Sequence, residues 1–524
     1  MNARQFIAVA ASTFSLIGIS AAQYPKDGIR LCKQIDLPQF QSNPDRGSGC
    51  SGYVSPSGRE YVVMGIGNGT SVVEVTNPNS ATEIGFISGP QSTWHESVVA
   101  GQYAYCVTEA GGGMQIINLG SADAGIVTLA GTYTGLGLNT VHTIETNSHY
   151  LYLNGSNRGF VILDIANPTA PVEVARWTNQ YVHDSTIVTH TSGPNAGKEI
   201  AYLCCGGTGV TVLDITNKSN LATMGSFSYV ANGYCHSGSL SPDYRYYYVN
   251  DEFDEGNGVV TDCTTHIIDV SNPAAMTEVA AFLNPIGVID HNSVLKGGFL
   301  NLAAYRGGLR VYNASNPTAL SESGYFDTYP AGQGFNYSGA WGTFVFPSGT
   351  TAIADINRGL FVVDPSEARN QGAPLLDTTY LSGSLSSGTL KSMKFADGQA
   401  LEARWSESAN PLDPAVVEFV VGCETTRAPA AFLDLTLKSK LSGLAFGSCM
   451  VSLKNWTSGQ FVTIGQIRQS WLYGTSQMNN VQGAAYVDGT GRIEVKLKFE
   501  PKGSGDVPTF GAVVDQLKVS VRKS

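Results

Sequence analysis

Apolar and polar positions alternate along residues 28–366 in short runs, and the alternation recurs with a period of about 45 residues. One unit shows the pattern: HESVVAG from His95, YAYCVTE from Tyr103, GMQIINL from Gly113 and VTLAGTYT from Val127. These are four β-rich runs separated by glycine or polar turns. Two landmarks keep phase with the period. One is a histidine that opens the first run: His95, His142, His183, His236 and His291. The other is an apolar run ending in a polar turn: SVVEVTNP around Glu74, MQIINLG around Asn118, VILDIANP around Asp164, TVLDITNK around Asp214, HIIDVSNP around Asp269, RVYNASNP around Asn313 and LFVVDPS around Asp364. Seven such units predict an all-β fold, a seven-bladed β-propeller with four-stranded antiparallel blades. An open solenoid needs polar caps on its terminal repeats, whereas the ends of this region complement each other. The last unit stops after Asp364 without a fourth strand, and IRLCKQIDLP from Ile29 reads as a lone fourth strand. Pairing the two closes a ring and removes both free edges.

Aligning SGCSGYVSPSG with GAWGTFVFPSG places Cys50 and Trp341 in the slots that carry histidine elsewhere. The first strand of a blade lines the central channel, so these residues gather at one mouth. The antiparallel second strand returns to the same face and carries polar hairpins there, with Glu109, Asn157, Arg158, Asn250, Asp251, Glu252, Tyr305, Arg306, Asp355, Asn357 and Arg358. Glu96 and Asp184 each follow a register histidine, and Asp290 precedes one. The candidate ligand- or metal-binding set is therefore His95, His142, His183, His236 and His291 with Asp184, Asp290, Asp251, Glu252, Arg306, Asp355 and Arg358. Three readings fit it. The imidazoles bond backbone carbonyls around a water-filled mouth. Alternatively, adjacent histidines with Asp184 or Asp290 hold a transition metal such as Zn, Cu or Fe. In the third, a histidine–carboxylate pair such as Asp290 and His291 does acid–base chemistry, although neighbours in a strand point to opposite faces. DEFDEGNG lacks the spacing of a helix–loop–helix calcium loop and reads as a solvated hairpin, with weak Ca binding as the alternative.

Composition narrows the class. The chain has 524 residues with 60 glycines and 24 tyrosines, and only 14% of it is charged, which fits an extracellular all-β protein. Net charge is −11 without a basic cluster, which argues against nucleic acid as a partner. Residues 1–22 predict a signal peptide: Arg4, an apolar stretch from Phe6 to Ile19, and Ser20-Ala21-Ala22 before the cleavage point. That stretch is too short for a comfortable membrane span and no second one follows, so the mature chain is expected to carry no transmembrane segment. The expectation is a secreted or cell-surface protein with an extracellular ligand, protein or carbohydrate. Of nine cysteines, Cys423 and Cys449 are the disulfide candidates, while Cys32 and Cys50 fall on an outermost and an innermost strand, too far apart to bridge. After the propeller (residues 23–366) the repeats cease. Residues 367–387 read as a linker, and 388–524 as a β-sandwich of jelly-roll type. Trp456, Trp471 and Tyr473 are either a sugar-stacking platform there or buried core.

The runs VILDIANP, TVLDITNK and HIIDVSNP resemble the LVIVD repeat. GREYVVMGIGNGTSVVEVTNP, YVHDSTIV, YYYVNDE, IDHNSVL, AYRGGLRVYNASNP, GYFDTYP, GAWGTFVFPSG and ADINRGLFVVD together resemble the choice-of-anchor B family over about residues 28 to 366. LKNWTSGQFVTIG and VVDQLKVSV are similar to C-terminal jelly-roll domains of exported bacterial proteins. The resemblance implies a secreted or surface-displayed β-propeller with no catalytic residues to carry over. Binding through the histidine-bearing face is the expected role. The alternative is a metal-dependent hydrolase or oxidoreductase using the channel-mouth histidines.

Overall fold

The computed structural model describes residues 24–394, 399–404, 415–427, 430–442, 446–502 and 511–522, so the expected signal peptide lies outside it. Every regular element among the described residues is a β-strand or a 3-10 turn. No helix there is long and apolar enough to cross a membrane.

Residues 47–364 form a propeller-type array of seven antiparallel sheets, spanning 47–88, 95–133, 143–177, 184–227, 235–284, 292–326 and 340–364. Neighbouring first strands touch in sequence, from Gly47–Val54 through His95–Ala100, Thr143–Asn147, Asp184–Thr189, Cys235–Leu240 and Asn292–Lys296 to Ala340–Val345, which returns to Gly47–Val54. The seventh sheet takes its outer strand from the start of the chain. Arg30–Ile35 pairs antiparallel with Gly359–Asp364, Arg30 opposite Asp364 and Ile35 opposite Leu360. Ile29 and Ile35 are buried beside this seam. A further strand that the pattern does not announce, Lys26–Asp27, pairs with Tyr325 and Phe326 and gives the sixth sheet a fifth member. Between the two, the Tyr24 ring packs 5.5 Å from Phe326 and 5.3 Å from Phe361, lacing the sixth and seventh sheets together.

The polar landmark of the repeat has a local cause. At the end of the third strand an Asp or Asn side chain accepts the backbone N–H two residues on. Asn118 does so from Gly120 (2.8 Å), Asp164 from Ala166 (2.7 Å), Asp214 from Thr216 (3.1 Å), Asp269 from Ser271 (3.0 Å), Asn313 from Ser315 (2.9 Å) and Asp364 from Ser366 (3.0 Å). This side-chain turn competes with the strand ladder and stops it. Glu74, one methylene longer, instead pairs with Arg59 at 2.8 Å. A second device fixes neighbouring sheets. Buried tyrosines on second strands reach across the gap: Tyr61 donates to Asp123 (2.7 Å), Tyr105 to the Pro168 carbonyl (3.0 Å) and Tyr152 to Glu199. Each fills the apolar interface with its ring and satisfies its hydroxyl at the far side.

The C-terminal unit consists of two five-stranded sheets that bury one core, including Phe419, Leu435, Val451, Leu497 and Val519. It starts earlier than the sequence suggests. Leu375–Ser382 and Ser384–Ser387 are outer strands of its two sheets, so the expected linker 367–387 is mostly structured. Its polar start and the small polar run SGSLSS at its end concealed these edge strands. What precedes it is packed too: Ala368 is fully buried, Arg369 reaches Asn301 at 2.6 Å, and Glu367 accepts from Thr425 (2.6 Å) and the Thr426 backbone (2.9 Å).

Two further expectations fail on register. Cys423 lies opposite Ile493 and Cys449 opposite Phe499, on the two flanks of Arg492–Pro501. Two strand spacings alone separate them by roughly 10 Å, against about 6 Å for a bridge, and both thiols are free and buried. Trp456 precedes the strand Phe461–Gln469 and Trp471 and Tyr473 follow it, so about 30 Å of strand parts them. Trp456 donates to the Tyr486 carbonyl at 3.2 Å; Trp471 and Tyr473 are exposed. The three make no common platform.

The DEFDEGNG hairpin is solvated only in part, because its acidic start folds back onto the fifth sheet while residues 256–258 stay exposed. Asp251, Asp254 and Glu255 are fully buried. Asp251 accepts from Tyr229 (2.6 Å) and from the backbone of Gly233 (2.8 Å) and Tyr234 (2.6 Å). Burial, together with the neighbouring Asp254, pushes Glu255 up to about 10. His266 sits between Asp254 (3.0 Å) and Glu278 (2.7 Å). Burial disfavours its charge, but the two carboxylates outweigh that and raise it from 6.5 to about 9.

Two outcomes are expected. Removing residues 24–35 leaves Gly359–Asp364 as a bare edge and uncovers buried Tyr24, Ile29 and Ile35; at about 1.5–3 kcal/mol per side chain, several kcal/mol of stability should be lost, read as a lower urea midpoint or aggregation. The imidazolium of His266 is favoured by folding, so its contribution, on the order of 2–3 kcal/mol, is complete below about pH 6.5 and disappears as pH rises through about 9. Urea midpoints measured from pH 6 to 10 should show this alkaline loss, and His266→Gln should flatten it.

Candidate functional site

The closed ring brings four of the five register histidines into one continuous arc. Ring centroids are 4.2 Å apart for His142–His183, 4.1 Å for His183–His236 and 4.2 Å for His236–His291. Trp341 extends the arc, 4.9 Å from His291. The arrangement follows from strand geometry: each histidine stands at or next to the start of the innermost strand, and its backbone is tied to its own sheet, as in His142 N–H to Asn154 O (3.0 Å) and His183 N–H to Cys204 O (2.8 Å). Ring nitrogens then bond across sheets. His183 Nδ1 meets the His236 carbonyl at 3.0 Å and His291 Nδ1 meets the Trp341 carbonyl at 2.5 Å, which turns each Nε2 away from the backbone. His142 Nδ1 meets Glu109 Oε1 at 2.6 Å.

Burial holds three of these imidazoles, those of His183, His236 and His291, neutral. It drives His183 and His236 well below 6.5, with neighbouring imidazoles adding to the effect, and brings His291 to about 3. Glu252 faces the arc. Its Oε2 is 3.8 Å from His236 Nε2, its Oε1 is 3.8 Å from His291 Nε2, and Oε1 accepts the Tyr305 hydroxyl at 2.5 Å. The donor atoms of His236, Glu252 and His291 all lie within 4.8 Å of one another, which makes them, among the described residues, a group that could hold a metal ion.

Above the arc opens a cavity of about 490 Å³. Its walls are aromatic: Trp94, Tyr181, Tyr234, Phe253, Tyr305, Tyr337 and Trp341, with Arg46, Glu109, His142, His183 and Glu252 between them. Tyr181 and Tyr337 are half exposed at 50% and 52%, so the rim offers flat apolar faces to solvent. Inward of the arc the channel carries an acidic layer, Glu96, Glu145 and Asp184, each partly reachable by water. Burial pushes Glu96 up to about 7 despite a 2.5 Å bond from Trp341 Nε1. Burial and the nearby Asp184 push Glu145 up to about 8, and burial pushes Asp184 up to about 6 against bonds from Ser185 N–H and Thr143. Gly49 makes room for this layer, since a Cβ there would collide with the Glu96 carboxylate.

The remaining expected site residues do not converge. His95 turns into the groove between the first two sheets, where its Nε2 meets the Pro90 carbonyl at 3.0 Å. Cys50 turns into the apolar contact between the first and last sheets. Asp184 lies in the channel layer. Asp251 organises its hairpin, and Asp290, fully buried, accepts from Asn250 at 2.6 Å on the side away from the arc. Asp355 caps its turn through the N–H groups of Asn357 (2.8 Å) and Arg358 (2.9 Å). Arg306 stacks 5.0 Å from Tyr329, and Arg358 lies 5.7 Å from both Tyr24 and Tyr329, outside the cavity. Conversely, the aromatic rim was not anticipated. Its signal is in the chain: Tyr181 and Tyr234 each stand two residues before a register histidine, the spacing that shares a face in extended backbone.

Comparisons agree with this architecture at the level of the repeat. The chain carries LVIVD repeats, a propeller-type repeat family, matched at residues 143–179, 200–229 and 259–283. No curated protein is detectably similar in sequence. Among solved structures, a streptogramin B lyase is 10% identical, covering 66% of this chain and 99% of its own, with a TM-score of 0.44. Sqt1 of Saccharomyces cerevisiae is 10% identical, covering 63% and 96%, also at 0.44. U3-55K is 10% identical, covering 64% and 98%, at 0.41.

Because Glu96 bonds the Trp341 indole, ionisation of this carboxyl should be visible optically. Trp341 fluorescence is expected to titrate with a midpoint near pH 7, and the transition should vanish in Glu96→Gln and in Trp341→Phe. A midpoint near 4.5 would mean that the channel layer is freely hydrated.

Proposed function

We propose that the chain is an exported binding protein of the choice-of-anchor B type, a seven-bladed propeller with a C-terminal jelly-roll domain, whose histidine-bearing face takes up an extracellular carbohydrate. The observation that carries this reading is the cavity lining. Trp94, Tyr181, Tyr234, Phe253 and Tyr337 supply flat apolar walls, and Arg46, Glu109 and Glu252 supply polar groups set between them. That is the chemistry a sugar ring needs, with an apolar face to cover and hydroxyls to bond at its edge. The arc beneath is a packed floor, in which His183 and His291 are fixed by backbone carbonyls of the adjoining sheets.

A glycan array probed with the purified protein tests this. Binding to a defined set of saccharides is expected, with Tyr181→Ala and Tyr234→Ala each weakening it at least tenfold and Trp471→Ala, on the C-terminal unit, leaving it unchanged. No saccharide bound, or full binding by both tyrosine variants, would remove the carbohydrate reading.

A further inference from the structure

We propose that His236, Glu252 and His291 form a site for one divalent first-row transition metal ion of the zinc class at the floor of this pocket. The inference uses the same pocket as the carbohydrate reading but does not require a carbohydrate to be its ligand.

Four observations carry it. The first is distance. Donor atoms about 2.0–2.2 Å from a common ion stand roughly 3–4 Å apart, and here Glu252 oxygens lie 3.8 Å from each Nε2, with all three donors within 4.8 Å. A small inward contraction completes the site. Second, two of the three ligands are oriented by groups around them. His291 Nδ1 is held by the Trp341 carbonyl at 2.5 Å, so its Nε2 lone pair faces Glu252, and Tyr305 holds the carboxylate at 2.5 Å. Metal-binding imidazoles are set in this way, with the second nitrogen engaged elsewhere. Third, His236 is buried with 3% exposure, its Nδ1 has no partner and its Nε2 makes no hydrogen bond. An ion at Nε2 would satisfy the nitrogen that faces Glu252. Fourth, the ion pairs of Glu252 among the described residues are with these two histidines alone, with neither lysine nor arginine beside it. A dication would supply the missing positive charge.

The donor set names the class of ion. Two imidazoles and one carboxylate suit zinc, cobalt and iron(II), whereas calcium and magnesium take all-oxygen sets and the softest ions favour thiolates. Three protein ligands also leave a coordination position free, and Glu252, Tyr305 and Trp341 line the cavity. Tyr305 is a positioning residue in this scheme.

Untagged protein stripped with EDTA and titrated calorimetrically with Zn²⁺, then with Co²⁺ under visible absorption, tests the site. One equivalent of each is expected. His236→Gln and His291→Gln should each weaken Zn²⁺ at least 100-fold, Glu252→Gln at least tenfold, and Tyr305→Phe by a few-fold with a shifted Co²⁺ spectrum. His95→Gln should bind like the parent. Circular dichroism melts identify which variants fold, and the isosteric Glu252→Gln supplies the deciding comparison if a histidine variant does not. Absence of stoichiometric Zn²⁺ binding by the folded parent, or unchanged binding in folded Glu252→Gln and His291→Gln, would overturn the proposal. Saccharide binding that persists in EDTA would leave the pocket reading standing by itself, and the two ideas therefore fail separately.

Discussion

The backbone pairing of Arg30–Ile35 with Gly359–Asp364 joins the first strand of the repeat region to its last sheet. Without it both would present open edges, each a row of unpaired amides and carbonyls. With it, the angle between successive sheets is no longer free, because the array must return to its starting point. That constraint sets how near the first strands approach the axis, and through them the spacing of every side chain in the channel. Tyr24 and Lys26–Asp27 reinforce the seam by spanning the sixth and seventh sheets.

The electrostatic character of the pocket descends from that geometry. Imidazoles set about 4 Å apart in a protein interior cannot share several positive charges, so desolvation and mutual repulsion hold them neutral. Neutral imidazole is the form that accepts, whether from a ligand hydroxyl or by coordinating a metal ion. The carboxylates beneath are shifted the opposite way by the same burial, so at neutral pH the channel carries less negative charge than its three acids would in water. Glu252 is set against two neutral rings, and burial raises its pKa too, against the bond from Tyr305.

Much of this was readable beforehand. The Asp and Asn that end each third strand announce themselves because an Asx turn needs only a side chain and an amide two residues away. The phase of His142, His183, His236 and His291 was equally plain, since equivalent positions in equivalent sheets must meet near the axis. What misled was residue type taken without packing. DEFDEG reads as a solvated turn, yet it buries three carboxylates, which His266, Tyr229 and backbone amides make tolerable. Residues 375–387, which end in SGSLSS, read as linker, yet an edge strand needs only one apolar face. Glu109 was visible on its hairpin, but its bond to His142 was not.

Sequence alone determined the period, the strands within it, and the lone outer strand that closes the ring, because these rest on local alternation and on counting edges. It also determined that histidines would recur at one end of the channel. Only the tertiary structure decided which of them meet. His95 has the same phase as the others, but glycine-lined space next to Pro90 gives its ring another place to go, and Cys50 is drawn into the core between the first and last sheets. Register likewise separated Cys423 from Cys449. The physical reason is that phase along a strand fixes direction and height, whereas contact depends on the free volume left by neighbouring sheets, which no one-dimensional pattern contains.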